Sequence, residues 1–231
     1  MKSLINKLNW DSNFFNLKVG EIIIDKDFEI NSDLDFDLIV VKQKQDYKVS
    51  ILAYQEVFKE VKVTFSKIVS QNNLISEPSV FDADMETVNE KDLFPLAYES
   101  GKHSRFLLDK TFKVEDFKKL YEQWVINSLN KKFADKVFYL KKNETICGFI
   151  TLKKHDSQIA SIGLVAIAEN MQGIGLGSTL LQIAENYCFN QNIKELRIPT
   201  QKTNLQACKF YSKMGYEIIE NLTIKHFWKT T

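Results

Sequence analysis

The sequence predicts a mixed α/β (α+β) protein: a central sheet of mixed, largely antiparallel strands flanked by helices, preceded by a smaller α/β N-terminal domain. Three observations predict it. Residues 136–167 carry three strand-like runs joined by tight turns. A glycine-rich turn then separates the last of them from a helical run at 176–190. A strand-like run, a helix and two more strand-like runs complete the chain.

Taken in order, residues 19–25 and 37–42 read as strands, 47–58 as a helix and 60–69 as a strand. Residues 70–78 collect turn formers and a proline, so the chain divides there into a small α/β domain over 1–76 and a main domain over 77–231. A weak echo supports a partial internal copy: Tyr54 to Phe58 and the strand after it resemble Tyr211 to Tyr216 and theirs, each reading helix, aromatic, strand. A short strand is expected over 80–84. Thr87 and Glu90 then have capping-box spacing before Leu93, Phe94, Leu96 and Ala97, which predicts a helix start. Residues 101–106 read as a polar loop. Phe117, Leu120, Tyr121, Trp124, Val125 and Ser128 recur at three- and four-residue spacing, predicting a helix within 114–129. Strands follow at 136–141, 145–153 and 158–167, with turns at Lys142-Asn143 and His155-Asp156. After the glycine turn come the helix at 176–190, a strand at 195–200, and a helix at 205–214 ended by Gly215. Two last strands are expected at 216–219 and 223–229.

Composition narrows the function. Net charge is +1, with 31 basic and 30 acidic residues, which provides no electrostatic footprint for nucleic acid. No apolar run approaches the roughly 18–20 residues of a membrane span, and the N-terminus lacks signal-peptide character, so a cytoplasmic protein with no membrane partner is expected. Three cysteines without metal-ligand spacing read as buried thiols, and no metal is expected. Lys131-Lys132 and Lys141-Lys142 read as solvated faces.

The glycines at 173, 175 and 177 mark the chemistry. A strand feeding a glycine turn that opens a helix presents unpaired N–H groups at the positive end of the helix dipole, an anion site. The spacing matches neither a P-loop nor the dinucleotide fingerprint. It does match Gln172-x-x-Gly175-x-Gly177, and Asn204-x-x-Ala207, Tyr211 and Gly215-Tyr216 follow. Over roughly residues 136–231 this resembles the GCN5-related N-acetyltransferase (GNAT) superfamily.

That resemblance implies the GNAT fold, a reaction, and a role for each matching stretch. Acetyl-CoA would be the acyl donor. Val165 and Ile167 would meet its pantetheine arm; Gln172, Gly173, Gly175, Gly177 and Ser178 would cradle the pyrophosphate; Asn204 would contact it near the next helix. Tyr211 would be the general acid of a direct transfer. Acetyl transfer to an amine needs a neutral nucleophile, an oxyanion stabiliser and a proton for the departing thiolate, and a tyrosine hydroxyl can supply that proton. Glu99, His103, Asp109 and Glu122 are candidate general bases, with none singled out.

A second resemblance concerns the acceptor. Trp10-Asp11 with Phe14-Phe15, Ser104-Arg105-Phe106, and Tyr121-x-Gln123-Trp124 with Asn127 are similar to enzymes that N-acetylate dTDP-4-amino-4,6-dideoxygalactose for bacterial surface polysaccharide. It implies a nucleotide-sugar acceptor met by Ser104, Arg105 and Phe106. A guanidinium binds pyrophosphate bidentately, and an aromatic ring can stack on thymine. Trp10, Phe14 and Phe15 read as core. The alternatives are another small amine, a peptide, or a non-catalytic acyl-CoA sensor, against which Tyr211 argues. A homodimer is expected from the fold alone.

Overall fold

A computed structural model of the chain describes residues 5–70 and 80–230. The elements run β1 (Asn6–Lys7), α1 (Asn9–Phe15), β2 (Val19–Ile24), β3 (Phe28–Ile30), β4 (Leu38–Gln43), β5 (Val49–Ile51), β6 (Tyr54–Ile68) and β7 (Val80–Asp82). Then come α2 (Glu90–Ser100), α3 (Arg105–Leu108), α4 (Val114–Leu129), β8 (Lys136–Lys142), β9 (Thr145–Lys154) and β10 (Ile159–Ile167). The chain closes with α5 (Leu176–Asn190), β11 (Glu195–Gln201), α6 (Leu205–Lys213) and β12 (Glu217–Lys229).

Ten strands form one sheet in the order β1-β2-β4-β12-β6-β11-β10-β9-β8-β7. Within this sheet only β2 with β4 and β10 with β11 are parallel and the other pairings are antiparallel, so it is mixed and largely antiparallel as expected; β3 and β5 pair in parallel as a separate two-stranded sheet. The β10–α5–β11 crossover provides the length that a parallel pair requires. Leu93, Phe117, Leu120 and Val125 of α2 and α4 pack in one core with Val40, Phe149 and Leu164 of the sheet. Leu180, Leu181 and Ala184 of α5 and Tyr211 of α6 pack in another with Val63, Phe65 and Ile198. Among the described residues no helix is long and apolar enough to cross a membrane.

Strand β6 lies between β11 and β12, pairing from Lys62↔Gln201 to Ile68↔Glu195 on one side and from Tyr54↔Lys229 to Ser66↔Glu217 on the other. The division expected at residues 76 and 77 therefore coincides with no break in the sheet. The linker expected at 70–78 lies, Ser70 apart, outside the described residues.

Several local expectations are corrected. Residues 47–58 are not helical: they supply β5 and the first part of β6, separated by Ala53 at φ 64°. Tyr54, Val57, Phe58 and Val61 do have helical spacing, but β12 offers a partner strand from Tyr54 onward and β3 pairs with β5 before it, and pairing overrides a weak local preference. The echo with 211–216 falls with that helix. Helix α2 begins at Glu90, not at Thr87, because the Asn89 side chain accepts from the Lys91 N–H at 3.1 Å. The loop expected at 101–106 ends in the single turn α3, capped by Ser104. The two last strands are one, β12, with a register shift between Ile218 and Glu220. Trp10 stacks on Phe14 at 5.1 Å but stays 42% exposed, so it is not core; Phe14 and Phe15 are packed as expected. Cys147 and Cys188 are buried thiols, whereas Cys208 is only half-buried.

Candidate active site

The site begins where two parallel strands part. β10 and β11 pair only over Ile159↔Glu195 to Ser161↔Arg197. Beyond that, β10 stays with β9 as far as Ile167↔Gly148 while β11 continues with β6. A register shift between Ile162 and Val165 bends β10 away, and Thr151 Oγ1 accepts from the Leu164 N–H at 2.8 Å in place of a ladder bond. Val165 and Ile167 are thus lifted from a parallel neighbour and line the gap.

The glycine turn closes one end. Gly173 and Gly175 have φ of +80° and +95°, a region that L side chains resist, and no atom of the described residues lies within 4 Å of where a Cβ would stand. Gly175 is the N-cap of α5 and no side chain caps that helix, so the first N–H groups of α5 are left for a ligand. Gly177 packs closely: a Cβ there would come 3.2 Å from the tip of the Phe210 ring, which would have to give by a few tenths of an ångström. Gln172 braces the turn. Its Nε2 donates to Glu99 Oε1 at 3.0 Å and to the Ile167 carbonyl at 3.1 Å, and its Oε1 accepts from Gln206 Nε2 at 3.0 Å. Asn204 lines the same space, and its side chain accepts from the Ala207 N–H at 3.1 Å as the N-cap of α6.

These parts enclose a cavity of about 660 Å³. It is lined by Val165, Ile167, Gln172, Gly173, Gly175, Gly177, Ser178, Asn204 and Tyr211, and also by Ser104, Arg105 and Phe106. The fold therefore brings the residues expected to meet the donor, Tyr211 and the three residues expected to meet the acceptor to one cavity, from three separated stretches. Tyr211 is 5% exposed and sits among Phe65, Phe210 and Tyr216 at ring distances of 5.5, 5.6 and 6.3 Å. Burial first, and then Cys208 nearby, raises its hydroxyl above the ordinary tyrosine range.

At the other end the three polar-loop residues diverge in role. Ser104 caps α3; the Tyr121 hydroxyl beside it is pushed up to about 12 by burial, which Ser104 opposes in part. Phe106 is buried, stacked on Phe15 at 5.5 Å, and carries the Arg105 guanidinium 4.7 Å from its centroid, so its faces are already occupied. Arg105 makes no ion pair with a carboxylate of the described residues.

The sequence reading missed Lys42, Glu60 and Lys62, which line the cavity beside Arg105. Lys42 pairs with Glu21, whereas Glu60 and Lys62 have no such partner among the described residues. The available signal was the alternation Glu60-Val61-Lys62-Val63: two charges on one strand face, valines on the other. Of the candidate bases, Asp109 lies buried, 2.7 Å from His226 Nδ1 and 2.9 Å from Trp228 Nε1, and does not line the cavity. Glu122 accepts from the Tyr98 hydroxyl. Neither Glu122 nor His103 lines the cavity; Glu99 does, with Gln172 and Lys102 on its Oε1.

A profile of the Acetyltransferase (GNAT) family matches residues 99–216. The dTDP-fucosamine acetyltransferase of Escherichia coli is 24% identical over 223 residues, spanning 94% of this chain and 95% of that protein. An uncharacterized Bacillus subtilis protein, YxbD, is 34% identical over 79 residues, 34% of this chain; the chain spans about half of that relative, 48% of its length. A solved GNAT-family structure from Novosphingobium aromaticivorans superposes with a TM-score of 0.56 over 87% of this chain and 78% of that one; at 10% identity it speaks for the fold.

Proposed function

Because the chain belongs to the GNAT family of acetyltransferases, which use acetyl-CoA, we propose that its acceptor is the amine of a nucleotide-activated amino sugar of the dTDP-4-amino-4,6-dideoxyhexose type. The observation that carries the acceptor is the cavity wall formed by Arg105 and Lys62, two cations that make no ion pair with a carboxylate of the described residues, in a cavity that the glycine turn also lines. A nucleoside diphosphate brings two negative charges to be met, and a guanidinium meets them bidentately. Similarity to the Escherichia coli dTDP-fucosamine acetyltransferase along 94% of the chain supports the same reading.

The residues present suit the donor. Two positive-φ glycines with open space above them and an uncapped helix N-terminus fit a pyrophosphate held by the turn from Gln172 to Ser178. Val165 and Ile167 on the parted strand would hold the pantetheine arm, and Asn204 would meet the donor while it caps α6. Acetyl-CoA supplies the activated acyl thioester. Tyr211, kept protonated by burial, holds a proton at its hydroxyl for the departing sulfur, in a direct transfer.

A thiol-release assay with acetyl-CoA tests this against dTDP- and UDP-linked amino sugars, polyamines and a peptide mixture, for wild type and Tyr211→Phe. Turnover confined to a 4-amino-4,6-dideoxy nucleotide sugar is the expected result. Turnover only on another amine sinks the acceptor, and acetyl-CoA binding without any turnover favours a sensor. Light scattering on the same preparation tests the homodimer expected from the fold.

A further inference from the structure

We propose that Glu60 is the group that takes the proton the acceptor amine must lose. The proposal rests on reading the cavity as an N-acetyl-transfer site. Only two carboxylates of the described residues line the cavity, and Glu99 is already held by Gln172 and Lys102. Glu60 is 8% exposed, and its Oε2 is buried with no hydrogen-bond partner among the described residues. A buried carboxylate without a donor is costly, and such groups in folded proteins are nearly always satisfied. An ammonium group arriving in the cavity provides the missing donor.

The position supports the same role. Glu60 stands on β6 opposite Ile224 of β12, both lining the cavity in the middle of the sheet. The charged and titratable groups about it are Lys62 on its own strand, Lys42 on β4, Arg105 on α3 and Tyr121 on α4. Asp11 on α1 and His226 on β12 lie further out, within reach of Arg105. Burial raises the Glu60 carboxyl above its ordinary range and outweighs the opposing pull of Arg105 and Lys62. A raised carboxyl is a better match for an amine proton near neutral pH.

The step balances. The ammonium nitrogen gives one proton to the Glu60 carboxylate, and its freed lone pair forms the C–N bond to the acetyl carbon. The C–S bond breaks and the sulfur takes the Tyr211 proton. The second nitrogen proton restores Tyr211, and Glu60 returns its proton to solvent; the products are amide, thiol and one proton.

The test is the pH dependence of kcat and kcat/KM for wild type, Glu60→Gln and Glu60→Asp, on whichever amine the wild type acetylates, with circular dichroism and acetyl-CoA affinity measured alongside. For Glu60→Gln, kcat is expected to fall about 10²- to 10³-fold. Its acid limb should give way to a rate that climbs with pH towards the amine's own pKa, with acetyl-CoA affinity unchanged. Glu60→Asp should keep the acid limb at reduced kcat, and it decides the matter if the glutamine variant does not fold. An unaltered kcat and acid limb, or a rise confined to the acceptor KM, would overturn the assignment. Wild-type turnover on a different amine would remove the nucleotide sugar and leave Glu60 to be judged on that amine; silence on every amine would remove both.

Discussion

Tyr211 and Glu60 are both buried ionisable groups, and burial raises both pKa values, favouring the neutral form of each. A raised phenol stays neutral throughout the physiological range and so remains a proton donor. Tyr211→Phe is expected to lower kcat by about 10²-fold or more while acetyl-CoA affinity, read by calorimetry, changes little, because the ring that packs against Phe65 and Phe210 is kept. A raised carboxyl instead penalises the folded state once it ionises. The folded pKa of Glu60 exceeds its unfolded value, so its contribution to stability is present below the unfolded pKa and is lost as pH rises through the folded one. Glu60→Gln should therefore melt above wild type at pH 7.5 and match it near pH 4; a melting point lowered equally at both would show that the carboxylate is a structural partner. The alternation in Glu-Val-Lys-Val puts Glu60 and Lys62 on one strand face, but it does not say that this face, too, is covered.

At the scale of elements, the glycine turn was legible because positive φ restricts residue choice: the backbone at Gly173 and Gly175 strongly favours glycine, and that preference is written in the sequence. Gly175→Ala puts a Cβ on a residue at φ +95° at a cost of about 1–2 kcal/mol, and the turn should relax away from the geometry that aims its N–H groups. The expected outcome is a tenfold or greater loss of acetyl-CoA affinity with acceptor KM unaltered, measured by calorimetry and steady-state kinetics. Helix α4 was equally plain, since its apolar spacing agreed with its packing. The first half of β6 was not, because its apolar spacing suited a helix and only the distant β12 decided otherwise. Between elements, Glu185 of α5 is 1% exposed and accepts from Lys67 of β6 at 2.9 Å and from the Tyr216 hydroxyl at 2.9 Å. Glu185→Ala strands Lys67, whose side chain is 22% exposed, so the loss should fall below the 3–5 kcal/mol of a fully buried pair, at about 2 kcal/mol in chemical denaturation.

The whole molecule turns on the place of β6. A chain read from its linker as two domains invites the expectation that residues 77–231 fold alone, since they hold the glycine turn, Tyr211 and both crossover strands. The sheet argues otherwise. Removing β6 leaves β11 and β12, its neighbours on either side, without their shared partner and exposes two strand edges in the middle of the molecule. It also strips Val63 and Phe65, 0% and 1% exposed, from the core under α5 and α6, at about 1.5–3 kcal/mol each. Glu60 and Lys62 leave the cavity wall at the same time. Against a total stability of about 5–15 kcal/mol, those losses are decisive. Residues 77–231 expressed alone should therefore lack a cooperative thermal transition and fail to bind acetyl-CoA, and supplying residues 1–76 in trans should restore both. A truncated chain that melts cooperatively and binds acetyl-CoA with wild-type affinity would show instead that the catalytic unit is complete without β6, and that the N-terminal part is a domain in its own right.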